Sequence, residues 1–381
     1  MQNQLGVRLL TVRGVPVYLK TSWFILMGLV IVGYGLYLGR TGWMLYSEAF
    51  TISTTIAVLI ALGVLVHELA HAMTGRVRKL RVEYISMTLW GGVTKLSPGS
   101  PFSSFLVSIA GPMVNALYAL LLYGVGSWME PSPVRAGLRI AVEANILISI
   151  FNMIPSYPLD GGHTLESLVT MASKRRSTGA KVTAWTGMIL IPVLVLAAIF
   201  TGAWRTSAGL FLVVLVCFYL FSASQPMLKA LKNQESGRDP LSARNLARPA
   251  LVVDEGTPVA QVVSALDGAA PVILTRATQP VGWVPAETAE LLREGNLPAT
   301  SLKQLASPLA PQKISQDTLR IDMMEYFNGY LYQQLPSQLK QGYYPIAWPI
   351  IDAQGRPTGV ILHRDMALRL SAEQAGRIPQ G

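Results

Sequence analysis

Apolar residues run along this chain in blocks too long for a soluble fold. Six stretches approach the roughly 20 apolar residues that a bilayer core demands of a helix: 22–39, 52–75, 104–128, 138–154, 183–202 and 206–226. The fourth is short and carries Glu143. Between the second and third lies LRVEYISMTLWGGVTKLSPGS (80–100), β-branched and aromatic, too short to span, and broken at Gly91-Gly92. It predicts a β-hairpin or a re-entrant piece, which persists at membrane depth only where protein or a water-filled cavity covers its backbone.

Beyond residue 232 the pattern changes. NQESGRDP opens a polar linker, and the remainder reads as soluble α/β. Two halves look alike there: PVILT (271–275) precedes QPVGWV (279–284), and YPIAWPIID (344–352) precedes AQGRPTGVIL (353–362). Each reads as strand, turn, strand, with a helical pattern from Gly359 through Arg369 and an insertion over 326–343. A weak internal duplication is the simplest account. The expected fold is a polytopic α-helical membrane domain over 1–232, with about six transmembrane helices and a membrane-associated β-hairpin. A linker (233–245), a soluble tandem α/β domain (about 246–300 and 301–372) and a polar tail (373–381) complete the expected organisation.

Composition sharpens this division. Hydrophobic residues make up 51% of the 381 positions and charged residues 14%, against about 25% charged in a soluble domain. The net charge of +10 is uneven: 1–232 carries +11 and the rest −1. Basic residues that flank apolar spans suit a membrane, and no basic stripe with interleaved aromatics points to nucleic acid. With six spans, 14 Lys and Arg fall on one side, including Arg76, Arg78, Lys174 and Lys181, and 4 on the other, Arg40, Arg135, Arg139 and Arg205. Both termini are therefore expected on the cytoplasmic or equivalent side. The lone Cys217 excludes an intramolecular disulfide and reads as a packing residue. No short signal peptide with a cleavage site is expected at the N-terminus.

Acidic residues inside apolar spans are costly and mark function. Glu68 lies within IAVLIALGVLVHELAHAMTG, between His67 and His71. Two His at i and i+4 share a helix face and can hold one metal ion. Glu68 is placed to take a proton from water and return it to a leaving amine. A zinc site wants a third protein ligand. The first candidate is Asp160 in NMIPSYPLDGGH, where Pro155 and Pro158 hold the chain extended and Gly161-Gly162 permits close approach. Its plainer role is an N-cap for the following helix. His163 and Glu166 are competing ligands, ranked second because they lie nearer the basic run 174–176; His163 is also a candidate to orient a ligand. Asn152 and Asn115 are polar in apolar surroundings, suited to interhelical hydrogen bonds or to a substrate carbonyl or oxyanion, with Asn115 leaning toward packing. Gly111-Pro112 is expected to bend or start its helix.

Three motifs in order resemble the site-2 protease family of intramembrane zinc metalloproteases: HELAH (67–71), LWGGV with AGPMVN (89–93, 110–115), and NMIPSYPLDGG (152–162). The tail resembles a pair of CBS modules, as in the branch of that family with C-terminal CBS domains. The resemblance implies one Zn2+ per chain held by His67, His71 and Asp160, Glu68 as general base and Asn152 as a substrate-positioning group. It implies hydrolysis of a peptide bond within or near a transmembrane helix, with the hairpin at Gly91, Gly92 and Val93 pairing with an unwound substrate strand. The implied partner is a single-pass membrane protein such as an anti-sigma factor or a membrane-tethered transcription regulator, and CBS modules imply a homodimer or control by adenine nucleotide. The nucleotide pattern Gly-x-x-Ser/Thr-x-x-Asp survives only as Gly359-Val-Ile-Leu362-His-Arg-Asp365, so at most one weak site at Asp365 is expected; Gly282 to Thr288 has neither residue. The alternative from another class is a catalytically silent membrane regulator that binds transmembrane partners and nucleotide. A transporter is disfavoured, because the acids cluster at one metal-like site and no inverted repeat of broken spans is visible.

Overall fold

The computed structural model describes residues 6–374 except 90, 237–238, 240, 267–269, 297–300, 311–312 and 325–346. The chain divides into two compact units, Met1–Leu228 and Lys229–Gly381.

The first unit begins with a hairpin that the sequence reading did not foresee. Strands β1 (Val7–Val12) and β2 (Val15–Leu19) pair antiparallel. Arg13 and Gly14 join them at φ 47° and 83°, the two left-handed residues that a type I′ turn requires. Nearly all of β1 is exposed, so no buried alternation betrays it. The stretch 80–100 does form a hairpin, β3 (Val82–Thr88) with β4 (Gly91–Leu96). β2 runs parallel to β3, giving one sheet in the order β1-β2-β3-β4. Val15, Val17, Ile85 and Met87 of this sheet are buried together with Trp23 and Ala72 of the helices.

Among the described residues, five helical stretches are long and apolar enough to cross a membrane: Thr21–Arg40, Tyr46–Val77, Pro101–Ser127, Arg176–Thr201 and Ser207–Glu235. The first consists of α1 (Thr21–Gly28) and α2 (Gly35–Arg40) joined by a π-helical turn. The others are α3, α4, α7 and α8, with α5 (Pro133–Asn152) and α6 (Asp160–Ser173) between α4 and α7. The sixth expected span corresponds to α5, which is helical but carries Arg135, Arg139 and Glu143 and falls short of the apolar run of the other five. α3, α4 and α5 pack against one another, burying Ala119, Leu122, Leu138, Ala141 and Val142. Ser100 and Ser132 cap α4 and α5, each followed by a proline at the first helical position, where the missing N–H has no intrahelical partner to lose.

The second unit contains the repeat read from the sequence. In the first half, β6 (Leu251–Asp254) is parallel to β7 (Val272–Arg276), and β7 turns antiparallel into β8 (Gln279–Val284), followed by α11 (Ala286–Arg293). In the second, β9 (Ile314–Ser315) is parallel to β10 (Ala347–Ile351), and β10 turns into β11 (Pro357–Leu362), followed by α12 (His363–Gln374). The helix therefore starts at His363 rather than Gly359, because Val360, Ile361 and Leu362 are buried in the sheet opposite β10. Residues 233–235 of the expected linker continue α8. Further along it, Leu241 and, from α9 (Ala243–Leu246), Ala243 and Leu246 are buried in one cluster with Trp348 and Ile350. The short α10 (Val259–Ala265) follows β6, and β5 (Arg248–Pro249) adds to β11. The expected insertion 326–343 lies outside the described residues, as does the polar tail beyond 374.

Candidate metal centre

The candidate site forms around α3. His67, Glu68 and His71 lie about two to three turns before its C-terminal end, all buried. The i, i+4 spacing brings the two imidazoles to a 4.6 Å centroid separation with Nε2 atoms 3.0 Å apart. His71 Nδ1 lies 2.7 Å from the Val107 carbonyl of α4. A carbonyl only accepts, so Nδ1 carries a proton, and Nε2 is the atom turned toward His67.

Asp160 closes the triangle. Its Oδ2 is 3.1 Å from His67 Nε2 and 3.3 Å from His71 Nε2. The N-cap of α6 is Leu159, so Asp160 is the first helical residue and its carboxylate faces the histidines instead of capping the helix. Two glycines make this approach feasible. A Cβ on Gly161 would lie 2.4 Å from the Met153 carbonyl, and one on Gly162 2.4 Å from backbone of Ser156. The loop with Pro155 and Pro158 is not extended as expected but turns, Leu159 N donating to the Ser156 carbonyl at 3.0 Å, and so packs closely against the first turn of α6.

This donor set fits zinc. With Zn–N and Zn–O bonds of about 2.0–2.2 Å, tetrahedral ligand atoms lie about 3.3 Å apart, close to the observed 3.0–3.3 Å. Among the described residues, His67, His71 and Asp160 are the group of three whose ligand atoms converge. Gly111 of α4 walls the site, since a Cβ there would sit 2.6 Å from His67 Nε2 and 2.5 Å from His71 Nε2. The Gly111-Pro112 pair is thus interior to α4 and leaves room for the imidazoles, rather than starting the helix.

Glu68 faces the sheet. Thr94 of β4 donates to its Oε2 at 2.6 Å, and a Cβ on Gly92 would fall 2.2 Å from its Cγ. Gly92, Thr94 and Leu96 share one face of β4, turned to α3, while Val93 and Lys95 face away and are exposed. Gly91 adopts φ 111° in open space. Among the described residues β4 pairs with β3 alone, leaving its outer edge free.

The remaining candidates stand apart from the triangle. Glu166 accepts from Arg176 Nε at 2.9 Å and lies 3.5 Å from His163 Nδ1. Burial would raise the Glu166 carboxyl, but the hydrogen bonds and charge of His163 and Arg176 prevail and hold it well below the usual range. The two competing ligands are thereby engaged with each other, and Glu166 also with α7. Asn152 ends α5, half-buried, and takes no part in the triangle's contacts. Asn115 is fully buried with neither amide atom hydrogen-bonded. Asp365, in the second unit, is bound by Arg248 through both oxygens, at 2.7 and 3.0 Å.

Thr94 and the walling role of Gly111 were missed in the sequence reading. Strand alternation could have indicated Thr94, which lies two residues after Gly92 on the same face.

Residues 55–144 and 131–197 match the model of Peptidase family M50. A candidate zinc metalloprotease of Synechocystis sp. is 32% identical over 185 residues, which are 48% of this chain and 49% of that protein. The chain thus spans about half the length of that curated relative. The site-2 protease from Methanocaldococcus jannaschii aligns at 19% identity and TM-score 0.42, covering 57% of this chain and 94% of that one. A CBS domain protein from Shewanella oneidensis MR-1 aligns at 17% identity and TM-score 0.22, covering 35% of this chain and 98% of its own. Over residues 55–197 the chain is thus similar to the M50 peptidases, the family that its three motifs resemble.

Proposed function

We propose that this chain is a zinc-dependent intramembrane endopeptidase that hydrolyses a peptide bond within or near a transmembrane helix of a membrane-anchored protein. The observation that carries the reading is the convergence of two imidazole Nε2 atoms and one carboxylate oxygen beside a buried glutamate on an apolar helix. Bound zinc would supply Lewis acidity toward the scissile carbonyl and water. Glu68 accepts the proton of the attacking water and delivers it to the departing amine. A helical peptide bond is shielded, so the substrate must unwind first, and the free edge of β4 offers Gly91, Gly92 and Val93 for strand addition. Asn152, in the segment leading to Asp160, is assigned to hold the substrate carbonyl; Asn115, buried in α4, is assigned to helix packing. A single-pass anti-sigma factor or tethered transcription regulator is the partner class that suits this chemistry.

Sidedness follows the charge asymmetry. The connectors 41–45, 128–132 and 202–206 carry Trp43, Trp128 and Trp204, all exposed, as aromatic residues are at a membrane interface. The basic residues Arg76, Arg78 and Lys79 lie at the opposite end of α3 from Trp43. With α5, 20 residues long, taken as a sixth crossing between 128–132 and the loop before α6, we assign that basic side, both termini and the soluble unit to the cytoplasm. We read the soluble unit as a CBS pair that dimerises and holds at most one nucleotide. A cavity of about 280 Å³ lined by Asn245, Arg248, Asp365 and Arg369 is the candidate place.

The test is metal analysis joined to cleavage of a membrane-anchored single-pass reporter. Wild type should hold about one zinc per chain, with loss in His67→Ala and Asp160→Asn. Glu68→Gln should keep the metal and lose cleavage by at least ~100-fold. Cleavage retained by Glu68→Gln would falsify the base assignment.

A further inference from the structure

The hydroxyl of Thr94 lies where two parts of the proposed machinery meet. It belongs to β4, the edge strand of the sheet, and its side chain is on the face that packs against α3. It donates to Glu68 Oε2 at 2.6 Å, the length of a charge-assisted O–H···O⁻ bond. The same hydroxyl lies 3.1 Å from the Glu68 main-chain carbonyl, so it is held against the backbone of the residue whose side chain it binds. The neighbouring residue on this face, Gly92, has no side chain, and a Cβ there would collide with Glu68 Cγ at 2.2 Å. The far end of the strand is secured in turn, with Leu96 packed where a Cβ on Gly75 would fall. β4 therefore lies along α3 from Glu68 to Gly75, fixed by one hydrogen bond and two close approaches.

A buried carboxylate on a three-torsion side chain has several places to turn, and the metal triangle is one of them. Among the described residues Thr94 is the side chain that donates to Glu68. A hydrogen bond to Oε2 fixes the plane of the carboxylate and leaves Oε1 to take a proton. We propose that Thr94 is a positioning residue that keeps Glu68 oriented as a base and out of the metal's ligand set, so that the strand offering its edge to the substrate also sets the geometry of the base. This rests on the zinc-endopeptidase reading. Orientation of this kind contributes to rate without contributing to substrate affinity.

The first test needs no substrate. Full-length protein loaded with Co2+ in place of zinc is compared as wild type, Thr94→Val and Thr94→Ser by visible absorption. Valine keeps the β-branched shape and removes the donor. Thr94→Val should alter the cobalt bands, Thr94→Ser should match wild type, and the alteration should vanish in Thr94→Val with Glu68→Gln, because only through that carboxylate can residue 94 reach the metal. Cobalt bands identical to wild type in a folded Thr94→Val would overturn the proposal. So would a change that persists without the Glu68 carboxylate, which assigns Thr94 a general packing role.

The second test is cleavage of the reporter. Thr94→Val should lower kcat by roughly 10- to 100-fold, part of what a general base supplies, with KM within about twofold and zinc still near one per chain. Thr94→Ser should recover most of kcat. A raised KM with unchanged kcat would place Thr94 in substrate binding and refute base positioning. Glu68→Gln in the same assay separates the two levels. If it cleaves, the base assignment itself fails; if it is inactive while Thr94→Val equals wild type, only the Thr94 inference fails.

Discussion

Two glycines do opposite things at this centre. Gly111 lies against the Nε2 atoms of His67 and His71, and Gly92 lies against the side chain of Glu68. A methyl group in either place falls well inside van der Waals contact: at Gly111 the two imidazoles must give way, and at Gly92 the Glu68 side chain must turn aside. Gly111→Ala should therefore push the imidazoles apart and take zinc content well below one per chain, abolishing cleavage with it. Gly92→Ala should leave zinc near one per chain and still reduce cleavage at least ~100-fold, because it displaces the base alone. Elemental analysis beside the reporter assay distinguishes them. Zinc lost equally from both variants would mean that the wall and the base are not separable.

The position of Asp160 depends on how α6 is held. Its first turn is flattened against the loop by Gly161 and Gly162. Its second turn is tied to α7 through Glu166 and Arg176. Gly179 of α7 reinforces this junction, since a Cβ there would lie 2.5 Å from the Glu166 carbonyl. Glu166→Gln keeps the shape and removes the charge. It should weaken zinc binding roughly tenfold, as loss of support behind a ligand does, measured by chelator competition. An unchanged affinity would show that the loop and the glycines alone hold the carboxylate. The long helices were legible in the sequence because apolar blocks are local signals. The hairpin β1–β2 was not: its exposed residues show no alternation, and what stabilises it is the parallel pairing of β2 with β3, far along the chain.

The two units divide the proposed tasks. Every residue of the metal triangle, the base and the free strand edge lies in Met1–Leu228, and the candidate nucleotide cavity lies in Lys229–Gly381. Arg248 already occupies both oxygens of Asp365, so a ligand must displace an ion pair to reach that carboxylate. Titration of the full chain with AMP or ATP should saturate at no more than one per chain, with a dissociation constant in the range of about 0.1–1 mM, a few kcal/mol of binding. No saturable binding would remove nucleotide sensing and leave dimerisation as the role of the repeat.

By itself the sequence determined the apolar spans, the internal repeat of the soluble unit, and the pairing of His67 with His71 around Glu68. Each of these follows from local geometry: the length of a helix that crosses a bilayer, strand-turn-strand spacing, and the 3.6-residue turn that stacks positions i and i+4. Tertiary structure decided the rest. It brought Asp160 to the two imidazoles, and left Glu166 bound to Arg176 and beside His163. It brought Thr94 to the base and Gly111 to the imidazoles. Such contacts join residues distant along the chain through the packing of α3, α4, α6 and the sheet, and no local periodicity encodes which side chains will meet there.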